Sequence, residues 1–245
     1  MEGPSSSSPV RTIRRNNHLD VRATNPDFLS AAFPESQILS PSAWAQLSAW
    51  YGRDWRLLYR GTRDGMTASD FHRHCDNKGS TLSVFLRGPF IFGGFSSVSW
   101  SSEWHLGWGN YERRDDKASL FSLVSPHSSA SPVQLKVAEQ KADKAVYLCK
   151  NWGPDFGESD LQALKSEGRV TSRLGSTFQI PQNVYRDTDR EGRGTIRDAE
   201  NGRGRFLFFG SEEADLDEME VFGVLDGDSE GDFSVSLSCQ KEGGQ

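Results

Sequence analysis

His72-Arg73-His74-Cys75 is the densest run of potential metal ligands and nucleophiles in the chain. Zinc needs three or four ligands converging on one point. Residues two apart on a helix face different sides, so His72 and His74 cannot share an ion. No second ligand pair stands elsewhere, and the expectation is a buried Cys75 beside solvated histidines, without a metal. The cysteines Cys75, Cys149 and Cys239 offer a second chemistry. A thiolate nucleophile needs exposure and a nearby cation, whereas Cys149 closes an apolar run and reads as core. A thiol-dependent antioxidant enzyme centred on Cys75 or Cys149 is nonetheless one alternative function. No Gly-x-Ser-x-Gly elbow surrounds a serine, and no phosphate-cradling Gly-x4-Gly-Lys-Ser/Thr loop exists.

Carboxylates form the third group. Glu218 and Glu220, and Asp226 and Asp228, sit at alternate positions, which share one face of a strand. Such pairs can hold a cation or share acid–base work. The twelve-residue calcium-loop pattern is incomplete, so a solvated acidic face is expected. The fourth group is basic. Residues 186–205 carry six arginines and five acids with almost nothing apolar. Gly192-Arg193-Gly194 and Gly202-Arg203-Gly204 are similar to segments that bind RNA. The neighbouring acids neutralise their field, no aromatics interleave them, and the chain carries a formal charge of −6. Nucleic acid is therefore not the expected partner, and RNA binding through this loop stands as a further alternative. Trp100, Trp104 and Trp108 recur every four residues, yet Ser101-Ser102 and Gly107 favour a loop. Sequence leaves open whether these rings are core or a binding surface.

These groups need elements to hold them. Ser40 before Pro41 reads as an N-cap with proline at the first helical position, Trp44, Leu47 and Tyr51 follow at helical spacing, and Gly52 suits the end. Trp55 to Arg60 reads as a strand and Gly61 to Gly65 as a turn. Thr67 with Asp70 forms a capping-box pattern ahead of a short helix whose inner face carries Phe71 and Cys75. Thr81 to Leu86 and Phe90 to Phe95 flank a hairpin signal at Arg87-Gly88-Pro89. Gly93-Gly94 marks a bulge or a close backbone approach. Further strands are expected at Ser119 to Val124, Val133 to Val137, Ala145 to Cys149, Phe206 to Phe209, Met219 to Leu225 and Phe233 to Ser238. Many short strands with few helices imply a mainly β chain, a sandwich rather than a βαβ fold. Hydrophobic residues make up 35%, enough for one core. No apolar run approaches the roughly 20 residues needed to span a bilayer. Scarce, odd-numbered cysteines favour a reducing, cytoplasmic setting. Residues 1–17 read as a disordered Ser/Arg-rich leader, with mitochondrial targeting as the secondary reading. Residues 18–240 form the domain with an N-terminal helical extension, and 241–245 a tail.

Residues 57–225 resemble the TLDc family at six separated places, in order. Leu57 to Gly65, with Gly61, looks like its opening strand and turn. Ser69 to Leu82, with Asp70, Phe71 and Cys75, looks like its next element almost position for position. Phe90 to Trp100, with Gly93 and Gly94, is similar to its Gly-Gly-aromatic strand, and Ala118 to Leu123 to the strand after. Gly153-Pro154-Asp155-Phe156-Gly157 followed by Asp160-Leu161 looks like its glycine-rich turn, and Glu220-Val221-Phe222 like its closing strand. Residues 186–205 look like an insertion. The resemblance implies a two-sheet antiparallel β-sandwich flanked by a few short helices, and a protein-binding module without catalysis or cofactor. It further implies association with peripheral subunits of the vacuolar-type proton pump and with oxidative-stress resistance. The chain would then act as a monomer at the cytosolic face of vacuolar or endolysosomal membranes. Together with the negative charge it nominates Glu218, Glu220, Asp155, Glu158 and Asp160 as partner contacts.

Overall fold

Ser40 caps the first helix, α1 (Pro41–Tyr51): its side chain accepts from the Ala43 N–H, and Gly52 closes the helix in the left-handed conformation at φ 55°. The computed structural model describes residues 35–52, 54–103, 111–126, 132–157, 159–180 and 207–224. The chain continues into β1 (Trp55–Arg60), α2 (Gly61–Asp64), α3 (Ala68–Cys75), β2 (Thr81–Arg87) and β3 (Phe90–Ser96). Then come β4 (Tyr111–Arg113), β5 (Ser119–Val124), β6 (Val133–Lys136), a 3-10 turn (Glu139–Lys144) and β7 (Val146–Leu148). Short strands β8 (Asp155–Phe156), β9 (Leu161–Ala163), β10 (Arg169–Thr171) and β11 (Glu213–Asp215) precede β12 (Glu218–Val224).

The described strands form two six-stranded sheets, ordered β1-β12-β2-β3-β5-β6 and β11-β10-β9-β8-β7-β4. Every named pair is antiparallel. The expected sandwich is therefore what the chain forms. Its core lies between the sheets, where Tyr59, Phe85, Phe92, Leu120 and Val221 of the first meet Val146, Phe156, Leu161 and Val170 of the second. A second cluster lies on the other side of the first sheet. There Trp44 and Leu47 of α1 cover Leu82, Val84, Phe95, Phe121 and Phe222. Trp44 meets Phe222 edge-on, with ring centroids 5.2 Å apart. The first sheet is apolar on both faces, which is why β2 is buried without alternation over Thr81–Phe85.

Gly93 and Gly94 mark a close approach. A Cβ on Gly93 would stand 2.0 Å from the Ser83 carbonyl oxygen, and one on Gly94 2.7 Å from the Phe156 ring. The latter gap lets the two sheets close. Trp100 is core: it is 1% exposed, and its indole donates to Thr81 Oγ1 at 2.7 Å. Trp104, Trp108, residues 186–205 and the expected strand at 233–238 lie outside the described residues. The turn expected at Gly61 to Gly65 forms as a single helical turn, Gly61–Asp64, with the Arg60 N–H donating to the Asp64 carboxylate at 2.9 Å. One expected strand needs correction. Leu207–Phe209 is a turn, whose Phe208 ring stacks on Phe92 at 5.2 Å. Its apolar run serves the core without joining a ladder.

Candidate functional site

The alternation of β12 puts Glu218 and Glu220 on the outer face of the first sheet, beside Phe222. Solvent was expected there, but the segment ahead of α1 and Arg60 close over Glu220, and the start of α2 closes over Glu218. Glu220 is fully buried and Glu218 only 6% exposed. Glu220 accepts from Ser36 Oγ at 2.6 Å, Gln37 N at 2.8 Å and Arg60 Nε at 3.0 Å. It thereby pins the segment ahead of α1 to the sheet. Glu218 accepts from Thr62 N at 3.0 Å, Met219 N at 2.9 Å and the Thr62 hydroxyl, fixing the start of α2. A buried carboxylate with three donors is a structural clamp. Neither residue presents an acidic surface to a partner.

Asp160 is a clamp of the same kind. Fully buried, it takes the N–H groups of Ser176, Thr177 and Phe178 at 2.8, 2.6 and 2.8 Å. Burial raises its pKa, and these bonds pull the other way. A contact role was expected here too, and the structure buries the side chain with no oxygen offered outward. Glu158 lies outside the described residues.

Asp155 differs. It pairs with Gln162 across β8 and β9. Its neighbour Phe156 and Gln162's neighbour Leu161 enter the core, so both polar side chains take the outer face of the second sheet. Gln162 Nε2 donates to Asp155 Oδ2 at 2.6 Å. Oδ1 is buried and makes no hydrogen bond with the described residues. Burial pushes the pKa of Asp155 up to about 7, against the Gln162 hydrogen bond and the Lys165 charge. Asp155 is only 2% exposed, yet it lines a cleft of ≈ 220 Å³ with Tyr147, Trp152, Gly157, Ser159, Gln162 and Lys165. Lys165 Nζ lies 5.2 Å from the Trp152 ring centroid.

The rim of this cleft is held from α3. His72 is buried, a correction to its expected solvation. Its Nδ1 meets Asp76 Oδ1 at 2.6 Å, and its Nε2 meets the carbonyl oxygens of Cys149 and Trp152 at 3.0 and 2.9 Å. With acceptors at both nitrogens, only the imidazolium satisfies every contact. Burial disfavours that charge, but Asp76 and then the two carbonyls outweigh it and hold the pKa above the ordinary histidine range. Asp76 also takes the N–H and hydroxyl of Ser102 at 2.7 and 2.6 Å. The ion pair thus ties α3 to the 149–152 turn and to the loop after Trp100.

Cys75 is fully buried. Burial, then the charges of Asp76 and Asp64, push its thiol well above the ordinary range, so the folded chain disfavours its thiolate. Cys149 is half-buried rather than core, and Cys239 lies outside the described residues. Among the described residues no three His, Cys, Asp or Glu side chains converge to hold a metal ion. Of the nominated residues, Asp155 lines this cleft. Gln162, Lys165, Trp152 and the His72–Asp76 pair went unnominated, although the four-residue spacing of the latter on a helix was legible.

A family model described as the TLDc domain matches residues 33–225. It starts upstream of Leu57, so α1 falls inside the matched unit. No curated protein matches the chain. With the sandwich formed and most of its length matched, the chain belongs to the TLDc domain family.

Proposed function

We propose that the chain is a non-catalytic protein-binding module that engages peripheral subunits of the vacuolar-type proton pump and thereby supports oxidative-stress resistance. Family membership carries the partner half of this reading. The commitment of buried polar groups supports the non-catalytic half. Glu218, Glu220 and Asp160 are spent on the chain's own donors, and the Cys75 thiol is sealed. No helix among the described residues is long and apolar enough to cross a membrane. Attachment to the cytosolic face of a vacuolar or endolysosomal membrane would thus run through the partner. The partner's contacts are expected on surfaces other than Glu218, Glu220, Asp155 and Asp160, which are buried.

Affinity capture from native lysate, with the intact chain and a form lacking residues 1–17 in parallel, tests this reading. Both forms are expected to enrich peripheral pump subunits. Failure of both to enrich them refutes the partner assignment.

A further inference from the structure

A buried carboxylate normally ends with its lone pairs filled, because an ionised oxygen without donors is costly in a low-dielectric site. Glu218, Glu220 and Asp160 obey that rule. Asp155 breaks it at Oδ1, and it does so beside a cleft. The cleft also contains a cation, Lys165, and an aromatic face, Trp152.

The charges select among ligands. A simple cation meets Asp155 but is repelled by Lys165, and a simple anion meets the reverse. A molecule with an ammonium and a carboxylate on one short frame suits both. Its ammonium supplies the donors that Asp155 lacks, and its carboxylate replaces water around Lys165. Ser159 and Gln162 line the same space and add neutral hydrogen-bonding groups. Trp152 offers an apolar wall, and its carbonyl is fixed by His72, so the rim is positioned before any ligand arrives. The cleft of ≈ 220 Å³ limits the ligand to a small molecule.

We propose that the Asp155–Lys165 cleft is a binding site for a small zwitterion of the free α-amino acid class. The ammonium pairs with the Asp155 carboxylate and the carboxylate with Lys165. Asp155 is nearly covered, so entry displaces side-chain atoms at the rim, where Lys165 itself is exposed. The site is independent of the proton-pump reading, since it needs no protein partner.

Glycine is the minimal probe, and methylammonium and acetate are its two halves. Each is titrated into the full chain, with the Trp152 indole N–H and Gln162 side-chain amide followed by NMR. Glycine is expected to shift both signals saturably, with a dissociation constant of about 1 mM or tighter at pH 8. Either half alone is expected to bind at least about tenfold more weakly. Asp155→Asn and Lys165→Gln should each weaken glycine binding by a similar factor, and glycine should loosen as Asp155 is protonated below pH 7. Lys165 is exposed, so Lys165→Gln reports on the site even if Asp155→Asn perturbs the fold. No shift at about 10 mM glycine overturns the proposal. So does equal binding by either half, or glycine binding unchanged in Lys165→Gln.

Discussion

The outer face of the first sheet is apolar and roofed by α1, whereas that of the second carries Asp155, Gln162 and Lys165 around an open cleft. Both faces contain buried carboxylates. Under the roof, Glu220 has donors from three residues; beside the cleft, Asp155 has one donor and an orphan oxygen. Burial of an acid therefore says little by itself. The count of its donors separates a clamp, whose removal unpicks the fold, from a group held ready for something outside the chain.

Removing the roof should cost most. Trp44→Ala deletes a side chain that is 4% exposed and packed on Phe222, with an expected loss of about 3–5 kcal/mol in urea unfolding. A loss below about 1 kcal/mol would mean that the roof is dispensable and the contrast of faces false. Glu220→Ala comes next, at roughly 3 kcal/mol, because Arg60 would be left 12% exposed without its carboxylate. Hydrogen exchange should then quicken at Gln37 and along α1 more than in the second sheet.

The cleft acid should respond in the opposite direction. Asp155 ionises near pH 7 when folded but near 4 when unfolded. The native state therefore holds the extra proton between those values, and stability falls as pH rises from about 4 to about 7. Asp155→Asn removes that penalty and should stabilise the chain at pH 8 by about 1–3 kcal/mol, with little change at pH 4. Destabilisation at pH 8 would make Asp155 another clamp. The smallest effect belongs to His72, whose folded pKa is raised. Its contribution is complete below the ordinary histidine range and fades as pH rises through the raised native value. His72→Gln should flatten that decline, by roughly 1 kcal/mol, in thermal melts run across pH.

Local signals were legible in the sequence. Ser40-Pro41 and Gly52 bound α1, Thr67 and Asp70 form the capping box of α3, and Arg87-Gly88-Pro89 separates β2 from β3. Strands of two or three residues, such as β8 to β11, are too short to show a period. The pairing of β1 with β12 joins opposite ends of the domain, and no local pattern announces it. The carboxylates misled for a physical reason. An acid at alternate positions of a strand signals solvent when one face is wet, but β12's sheet is covered on one face by the second sheet and on the other by α1 and the segment ahead of it. The warning was the company of Glu220: Met219, Val221 and Phe222 give an apolar run that alternation alone does not explain. The cleft was half legible, in Asp155, while Trp152 in the turn before β8, Gln162 on β9 and Lys165 just after β9 meet there only once β8 pairs with β9.

The proposed function is binding without thiol chemistry. Its most direct test is calorimetric titration of the purified full chain and its Cys75→Ser and Cys149→Ser variants into the isolated peripheral sector of the proton pump, with peroxide consumption assayed on the same samples. Saturable binding that both variants retain, with no peroxide turnover, is the expected result. Absence of binding, together with peroxide consumption that disappears in either cysteine variant, would contradict it.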